Sequence, residues 1–561
     1  RIGRRDRTMA EVNGASLIVR SLQEQGVTTM FDLPGDPVSS IVSTAATQGM
    51  QRITFRHEQA VAMAAQAYGY VTRSVGVGVV ASGPAMTNAV TGLATAWANT
   101  WPMLLIGGAS EMGRRGLGDF QETPQVAAAA PFCKWSVAVE DVRRIPWFIS
   151  TAMRKALSGR PGPVYLDLPA DIISGKVDES EVVRAPVMAP IPRPGADPAL
   201  IEQAVQAIEA AERPLLLIGK GAAWSDAGSE ATALVDTLQI PFVPSPMGKG
   251  VVPDDHPLAF AGARSYALRN ADLVILAGAR FNWLFHFGEA PRFAADVKVI
   301  QIDIDPEEIG NNIPATVGLV GDAQVVFRQI TEASSRPRRR LESPWVQALQ
   351  EERQKNADAI EPMVNSDAPF TNLYRMYREL NEIVDRNAYV VADGESTMAL
   401  SRVMQANFEP RHRLDAGVSG CMGTGVPYAI GTQVGAPGQQ VISVNGDYAF
   451  GWNGIEIDTA VRHRLPIVFI VANNGTVRSE GAFTSAPFSP DDAVRYDKMM
   501  DAFGGHSEHV TAVDELRPAL ERALGSGRTA LVNVAIDPHG GRKRQEFSWL
   551  DRLGRMRYTG E

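Results

Sequence analysis

At 561 residues the chain has room for roughly three or four domains of ordinary size. A hydrophobic content of 45% with 21% charged residues is that of a globular protein with a large core, and the net charge of −9 argues against nucleic acid as a partner, because nucleic-acid binding leaves a basic footprint. The two cysteines, Cys133 and Cys421, exclude a disulfide scaffold and a cysteine-rich metal site and point to a reducing, cytoplasmic setting; no apolar run approaches the ~20 residues that span a membrane.

The basic start, Arg1–Thr8, has no apolar core behind it and is read as a frayed extension and not as a secretory signal. Residues 9–184 form a first block with strand-like runs at Thr28–Leu33, Val75–Ala81, Met103–Gly107 and Pro163–Leu168 and helix-like segments between them. Within it, Phe55–Tyr70 places Glu58 at a strand-to-helix junction before an Ala-rich helix, and Ser82–Asn88 reads as a tight strand-to-helix turn. The second block, residues 185–350, opens with the proline-rich linker Ala185–Pro198. It continues with strands at Pro214–Ile218, Leu273–Ala277 and Val297–Ile304 and closes on a charged, strandless stretch around Arg336–Lys355. The third block, residues 351–540, has a helix near Leu373–Val384 and strands at Tyr389–Ala392, Val441–Val444, Ile467–Ala472 and Ala530–Ile536. A basic tail, residues 541–561, follows with Arg542, Lys543, Arg544, Arg552, Arg555 and Arg557. This alternation predicts the α/β class, with three doubly wound parallel-sheet domains.

The most telling segment is Gly446–Asn474. It reads as strand, Gly-Asp turn, helix (Gly454–Arg464), strand and Asn-Asn turn, which is one crossover unit of a parallel sheet. Both polar turns then fall at carboxyl ends of strands, where open α/β sheets bind ligands. A carboxylate at Asp447 and an amide oxygen at Asn474, 27 positions on, suit a hard cation such as Mg²⁺ that also holds a diphosphate. An ordinary βαβ unit with polar turns would look the same locally.

The spacing resembles the signature of thiamine-diphosphate (ThDP) enzymes, Gly-Asp-Gly followed after about two dozen residues by Asn-Asn. Tyr448 departs from it by standing where many members have a third glycine. The resemblance implies three domains: pyrimidine-binding (residues 9–184), central (185–350) and diphosphate-binding (351–540). It implies Mg²⁺ on Asp447, Asn474 and the Thr476 carbonyl, and cofactor contacts from Gly446, Tyr448, Ala449 and Val477. Arg56-His57-Glu58-Gln59-Ala60 lies 24 residues before Ser82-Gly83-Pro84 and matches the family's His-Glu pattern. Glu58 would hydrogen-bond the pyrimidine N1′ and thereby make its amino group a base. Ser82 would lie near the reactive end. Met422, in Ser419-Gly420-Cys421-Met422-Gly423, would be the wedge that bends the cofactor, with the Gly420 carbonyl beside it. Gly394, Ser396 and Thr397 would form a diphosphate-side turn. Members complete each site across a homodimer and often pair into tetramers.

The resemblance runs from about Gly14 to Pro538 and is strongest to the oxalyl-CoA decarboxylase and 2-hydroxyacyl-CoA lyase branch. Trp101–Gly108, Phe120-Gln121-Glu122, Pro163–Pro169, Gly278–Trp283 and Arg411–Gly417 carry it. It implies an acyl-CoA substrate held by Arg264, Ser265, Asn356 and Arg402, since coenzyme A needs fixed guanidinium groups for its phosphates. It also implies ADP in the central domain, on Arg160, Lys220, Arg280, Asp303 and Asp322. FAD, which acetolactate synthases carry there, is the less expected occupant.

Chemistry separates the two activities. When an oxalyl thioester is cleaved, carbon dioxide leaves and no protein base is needed. When a 2-hydroxyacyl thioester is cleaved, an aldehyde or ketone leaves, so the 2-hydroxyl must lose its proton as the bond breaks. Both release formyl-CoA. The decarboxylase pattern Gly-Ile-Tyr is absent after Asn474, where the chain reads Gly475-Thr476-Val477-Arg478-Ser479-Glu480-Gly481, and Phe120-Gln121 replaces a tyrosine–acid pair. The expected activity is therefore a lyase, with Glu480 as acid/base and Gln121 as a further catalytic residue. The small residues Gly113, Gly116 and Ala482 are compatible with a branched substrate such as 2-hydroxyisobutyryl-CoA, which would give acetone. Oxalyl-CoA decarboxylation and 2-keto acid carboligation without CoA are the alternatives. The basic tail is either a lid over CoA or a cationic terminus.

Overall fold

Uninterrupted apolar runs become parallel strands that are buried on both faces, because a helix follows nearly every one. The computed structural model describes residues 11–334, 341–475, 478–479, 482–483 and 494–538, and gives 478–479 and 482–483 by backbone alone. The chain divides into two compact units. The first runs to Ile191 and includes Val426–Pro437 and Asn453–Leu465; the second holds Pro192–Gly425, Gly438–Trp452 and the chain from Pro466.

The first unit is built on strands β1 (Thr29–Leu33), β2 (Gln51–Thr54), β3 (Gly76–Val80), β4 (Met103–Ala109), β5 (Trp135–Ala138) and β6 (Pro163–Pro169). Their order is β2-β1-β3-β4-β6-β5, and all pairs are parallel. Helix α1 (Glu58–Thr72) is buried along almost its whole length, which explains its alanines. Helix α2 (Pro84–Asn99) comes so near that a Cβ on Gly92 would lie 2.3 Å from the Ala62 Cβ. From another side, a Cβ on Gly431 would meet the Ala64 carbonyl oxygen at 2.1 Å. Larger side chains on α1 would push both neighbours away.

The second unit contains two parallel sheets. Strands β7 (Pro214–Ile218), β8 (Phe242–Pro244), β9 (Leu273–Ala277), β10 (Lys298–Asp303) and β11 (Val317–Val320) pair in the order β8-β7-β9-β10-β11. Strands β12 (Tyr389–Asp393), β13 (Arg413–Asp415), β14 (Val441–Gly446), β15 (Ile467–Asn473), β16 (His506–Val510) and β17 (Ala530–Ala535) pair as β13-β12-β14-β15-β17-β16. The three predicted parallel sheets are therefore present, and every internal strand was expected from the sequence.

Two local readings change. The helix expected at Gly454–Arg464 is interrupted: α4 (Asp447–Asn453) starts on the Gly-Asp turn itself, a 3₁₀ turn covers Gly454–Glu456, and α5 spans Ile457–Arg462. The described part of the charged stretch, from residue 341, has no strand but contains a long helix, Pro344–Val364. Ser343 caps that helix, and Trp345, Val346 and Leu349 are buried, so it packs on one face and runs through position 350. Both cysteines are free thiols, and among the described residues no helix is long and apolar enough to cross a membrane.

Candidate functional site

Strands β12 and β14 lie side by side with Asp393 opposite Asn445, so the turns that follow them are neighbours. Helix α3 (Glu395–Met404) and α4 both begin at this edge. Gly394 has φ +99°, and a Cβ on it would meet the Thr397 Oγ1 at 2.8 Å and the Gly446 nitrogen at 3.1 Å. Thr397 is buried and donates from Oγ1 to the carbonyl of Gly394 (3.1 Å); Ser396 is exposed and donates to Glu395 (2.9 Å). This is a bare-backbone cradle at two helix starts, the arrangement that receives phosphate oxygens.

Asp393 joins this cradle to the segment that carries Met422. Its buried carboxylate accepts the N–H groups of Gly394 and Gly425, each at 2.8 Å. Burial pushes the carboxyl up to about 6, against the pull of those N–H groups. A Cβ on Gly425 would sit 1.9 Å from the Asn445 Oδ1, so only glycine lets the segment approach β14. Gly420 is left-handed (φ +60°) and exposed, and Met422 is half-buried.

Asp447 accepts the N–H of Gly475 on Oδ2 (3.0 Å), and burial pushes its carboxyl up to about 6. Asn474 is half-buried one residue before that donor, Ala449 is buried and Tyr448 is 59% exposed. A carboxylate and an amide beside a glycine cradle form a hard-oxygen donor set, and a buried carboxylate gains from a cation. The residues present fit Mg²⁺ with a diphosphate. Thr476, Val477 and Glu480, and the basic tail, lie outside the described residues.

In the first unit, Glu58 is the first residue of α1, and His57 caps the helix by accepting the Gln59 N–H (3.1 Å). Asn88 of α2 donates to the Glu58 Oε2 at 3.0 Å, while Oε1 has no hydrogen bond among the described residues. Ser82 is buried and donates to the Gln121 side-chain oxygen (2.7 Å), so these two expected site residues meet. Their loops are tied together at depth. The Gly83 N–H donates to Gln125 Oε1, whose Nε2 donates to the Gly108 carbonyl, the Tyr165 hydroxyl and Asp167. Arg115 pairs with Asp167 at 3.1 Å. Sequence reasoning gave no role to Asn88 or Gln125, and nothing local marks their partners.

The four middle-block residues of the nucleotide expectation gather at one edge. Lys220, Arg280, Asp303 and Asp322 follow or end β7, β9, β10 and β11, which are adjacent and parallel. A Cβ on Gly219 would meet the Gly278 carbonyl at 2.1 Å, so two backbones touch there as a phosphate cradle requires. Asp322 caps the following helix, and Arg280 lies 3.6 Å from Glu308. Arg160 belongs to the first unit, where its carbonyl accepts from Lys134 (2.8 Å).

Arg264 is held by a 2.6 Å bond to the Leu284 carbonyl and lies over the Phe285 ring. Its guanidinium is pulled down to about 9 by burial and by the nearby cations Arg292 and Arg402. Arg402 also contacts Asp415 at 3.4 Å. Ser265 follows Arg264 at the start of the same short helix, and Asn356 donates to the Gly262 carbonyl (3.0 Å). Three crowded guanidinium groups form a place for an anion.

Residues 12–129, 201–330 and 393–534 match, in that order, the N-terminal TPP-binding, central and C-terminal TPP-binding family models of the thiamine pyrophosphate enzymes. The chain is 39% identical to 2-hydroxyacyl-CoA lyase 1 of Mus musculus over 98% of both chains. It is 40% identical to 2-hydroxyacyl-CoA lyase of Arabidopsis thaliana over 95% of this chain and 97% of that one. Oxalyl-CoA decarboxylase of Escherichia coli (strain K12) is 37% identical over 96% and 97%.

Proposed function

The chain belongs to the thiamine pyrophosphate enzyme family, in the branch of the 2-hydroxyacyl-CoA lyases and oxalyl-CoA decarboxylases, and from that premise we propose that it is a ThDP- and Mg²⁺-dependent 2-hydroxyacyl-CoA lyase. It cleaves the C1–C2 bond of a 2-hydroxyacyl-CoA to formyl-CoA and an aldehyde or ketone, and condenses the two in reverse. ThDP, when bound, would supply a nucleophilic carbon for the thioester carbonyl and an electron sink for the C1–C2 bond. Asp447, Asn474 and Thr476 hold the cation, Gly394, Thr397 and Gly446 receive the diphosphate, and Met422 supports the ring. Glu58, steadied by Asn88, holds a proton at the pyrimidine N1′.

The observation that carries the choice of lyase over decarboxylase is the run Gly475–Gly481, which contains Glu480 and no tyrosine. Glu480 takes the proton of the 2-hydroxyl as the carbonyl product forms. A panel of 2-hydroxyacyl-CoA thioesters and oxalyl-CoA, with formyl-CoA and the released carbonyl identified, tests this. The 2-hydroxyisobutyryl thioester, giving acetone, is expected to turn over faster than oxalyl-CoA; faster decarboxylation would overturn the lyase reading. Glu480→Ala should lower lyase turnover by about 10²-fold or more, and full activity in that variant would remove Glu480 from the mechanism.

Coenzyme A is bound by Arg264, Ser265, Asn356 and Arg402, a reading supported by the crowding of Arg264, Arg292 and Arg402. Charge-assisted bonds are worth about 1.5–3 kcal/mol each. Arg264→Ala is thus expected to raise the KM for acyl-CoA roughly 10- to 100-fold with little change in kcat, as steady-state kinetics would record. An unchanged KM would take Arg264 out of the CoA site. ADP occupies the edge formed by Lys220, Arg280, Asp303 and Asp322. The active assembly is a homodimer or homotetramer with shared sites; exposed Trp97 and Trp452 (41% and 57%) are apolar surface suited to a subunit contact.

A further inference from the structure

Glu58 is flanked by a set of contacts that all come from one distant segment. Glu456 is wholly buried, and its carboxylate accepts the backbone N–H of Arg56 (3.0 Å) and of His57 (2.9 Å), residues about 400 positions away. Thr459 donates to its other oxygen at 2.5 Å. On either side, the His463 Nε2 accepts the Thr54 N–H (3.1 Å), and Asn453 donates to the Gln59 side chain (3.1 Å). Asp458, itself paired with Arg462, pairs with the Arg56 guanidinium at 2.7 Å. Four side chains between Asn453 and His463 thus hold residues 54, 56, 57 and 59, and leave the Glu58 side chain to Asn88.

We infer that Glu456 is the positioning residue of the activating carboxylate: it holds the turn that starts α1 so that Glu58 presents its carboxyl at one fixed place. The physical case rests on the N–H groups it accepts. Residues 56 and 57 lie between the end of β2 and the first turn of α1, outside both ladders, so their N–H groups find no backbone partner there and are met instead by the buried Glu456 carboxylate. A carboxylate meets two at once with charge-assisted bonds, stronger than a carbonyl would make. The arrangement is held at a cost, since burial pushes the Glu456 carboxyl up to about 7 despite donors from Thr459, Arg56 and His57. An acceptor oxygen fixed at this place, on the two residues directly before Glu58, keeps the Glu58 backbone from shifting. A displacement of about 1 Å at a reacting group costs on the order of 10²-fold in rate.

The inference rests on the reading of Glu58 as the activating carboxylate, so Glu58→Gln is the reference. Glu456→Ala is expected to lower kcat about 10- to 100-fold while the KM for acyl-CoA and the ThDP affinity by calorimetry stay within about threefold. Glu456→Gln, which keeps an oxygen for the Arg56 and His57 N–H groups, should recover most of the loss. Independently of activity, amide hydrogen exchange in the cofactor-free protein should quicken across residues 54–60 in Glu456→Ala and stay near wild type in Glu456→Gln. If Glu456→Ala does not fold, Asn453→Ala carries the test, with kcat expected to fall roughly threefold to tenfold by the same displacement argument and exchange at residues 54–60 expected to rise. Full activity or unchanged exchange in a folded Glu456→Ala, or in Asn453→Ala where that stands in, overturns the inference. Full activity in Glu58→Gln instead overturns the reading beneath it.

Discussion

Replacing Glu58 by glutamine is expected to cut turnover by about 10²- to 10⁴-fold with ThDP and Mg²⁺ still bound. The amide matches the carboxyl in shape and can still accept the Asn88 side-chain N–H, so the start of α1 and the cofactor's seat stay as they are. What is lost is the ability to hold and exchange a proton at the pyrimidine nitrogen. The effect therefore belongs in kcat and not in cofactor affinity. Formyl-CoA release measured at saturating ThDP, beside a calorimetric titration of the cofactor, separates the two. Wild-type turnover in a ThDP-loaded Glu58→Gln protein would exclude the activation.

The second large effect is expected at the other end of the cofactor. Asp447→Ala should weaken ThDP binding in Mg²⁺ by more than about 100-fold, because loss of an outer partner already costs 10- to 100-fold and the proposal puts Asp447 on the ion itself. Its carboxylate is the one full negative charge in the proposed donor set, and Asn474 and a backbone carbonyl cannot replace it. Asp447→Asn isolates the charge: an amide oxygen can still accept the Gly475 N–H, so the turn is kept while cation affinity falls. Since burial opposes the Asp447 charge in the cofactor-free protein, that variant should melt no lower than wild type without ThDP. Titration of the cofactor-free variants with ThDP at fixed Mg²⁺ measures this. Affinity within threefold of wild type for Asp447→Ala would remove the residue from the metal site.

The two variants probe opposite kinds of help. Glu58 lies in the first unit and Asp447 in the second, and the proposed roles differ in chemistry, a proton-holding carboxyl for the pyrimidine and a cation ligand for the diphosphate. The proposed lyase step adds a third requirement, a base for the 2-hydroxyl, which the proposal assigns to Glu480.

The fold class was legible because internal strands of a parallel sheet are buried on both faces and so appear as unbroken apolar runs, such as Met103–Ala109, Leu273–Ala277 and Ile467–Asn473. Within the three parallel sheets, the strands that sequence reading missed are Gln51–Thr54, Trp135–Ala138, Phe242–Pro244, Val317–Val320, Arg413–Asp415 and His506–Val510. Each of them forms an edge of its sheet. These edge strands are short, three to five residues, which leaves too brief an apolar run to read, and some carry charged residues set by side-chain partners. Arg52 on β2 pairs with the buried Asp32 at 2.9 Å, and Arg413 and Asp415 on β13 are buried beside Arg402.

By itself the sequence determined the three parallel sheets, the turns at their carboxyl ends and the residues on those turns, from Glu58 and Ser82 to Gly394 and Asp447, because apolar runs and turn residues are local signals. Only the tertiary structure decided what holds those residues in place. Asn88 on Glu58, Gln125 behind Gly83, Asp393 on Gly425, and Glu456 beneath Arg56 and His57 are pairings across 30 to 400 positions. No periodicity encodes such pairs, since a buried N–H or carboxylate takes whichever partner the packing brings within 3 Å, and that is known only once the chain has folded.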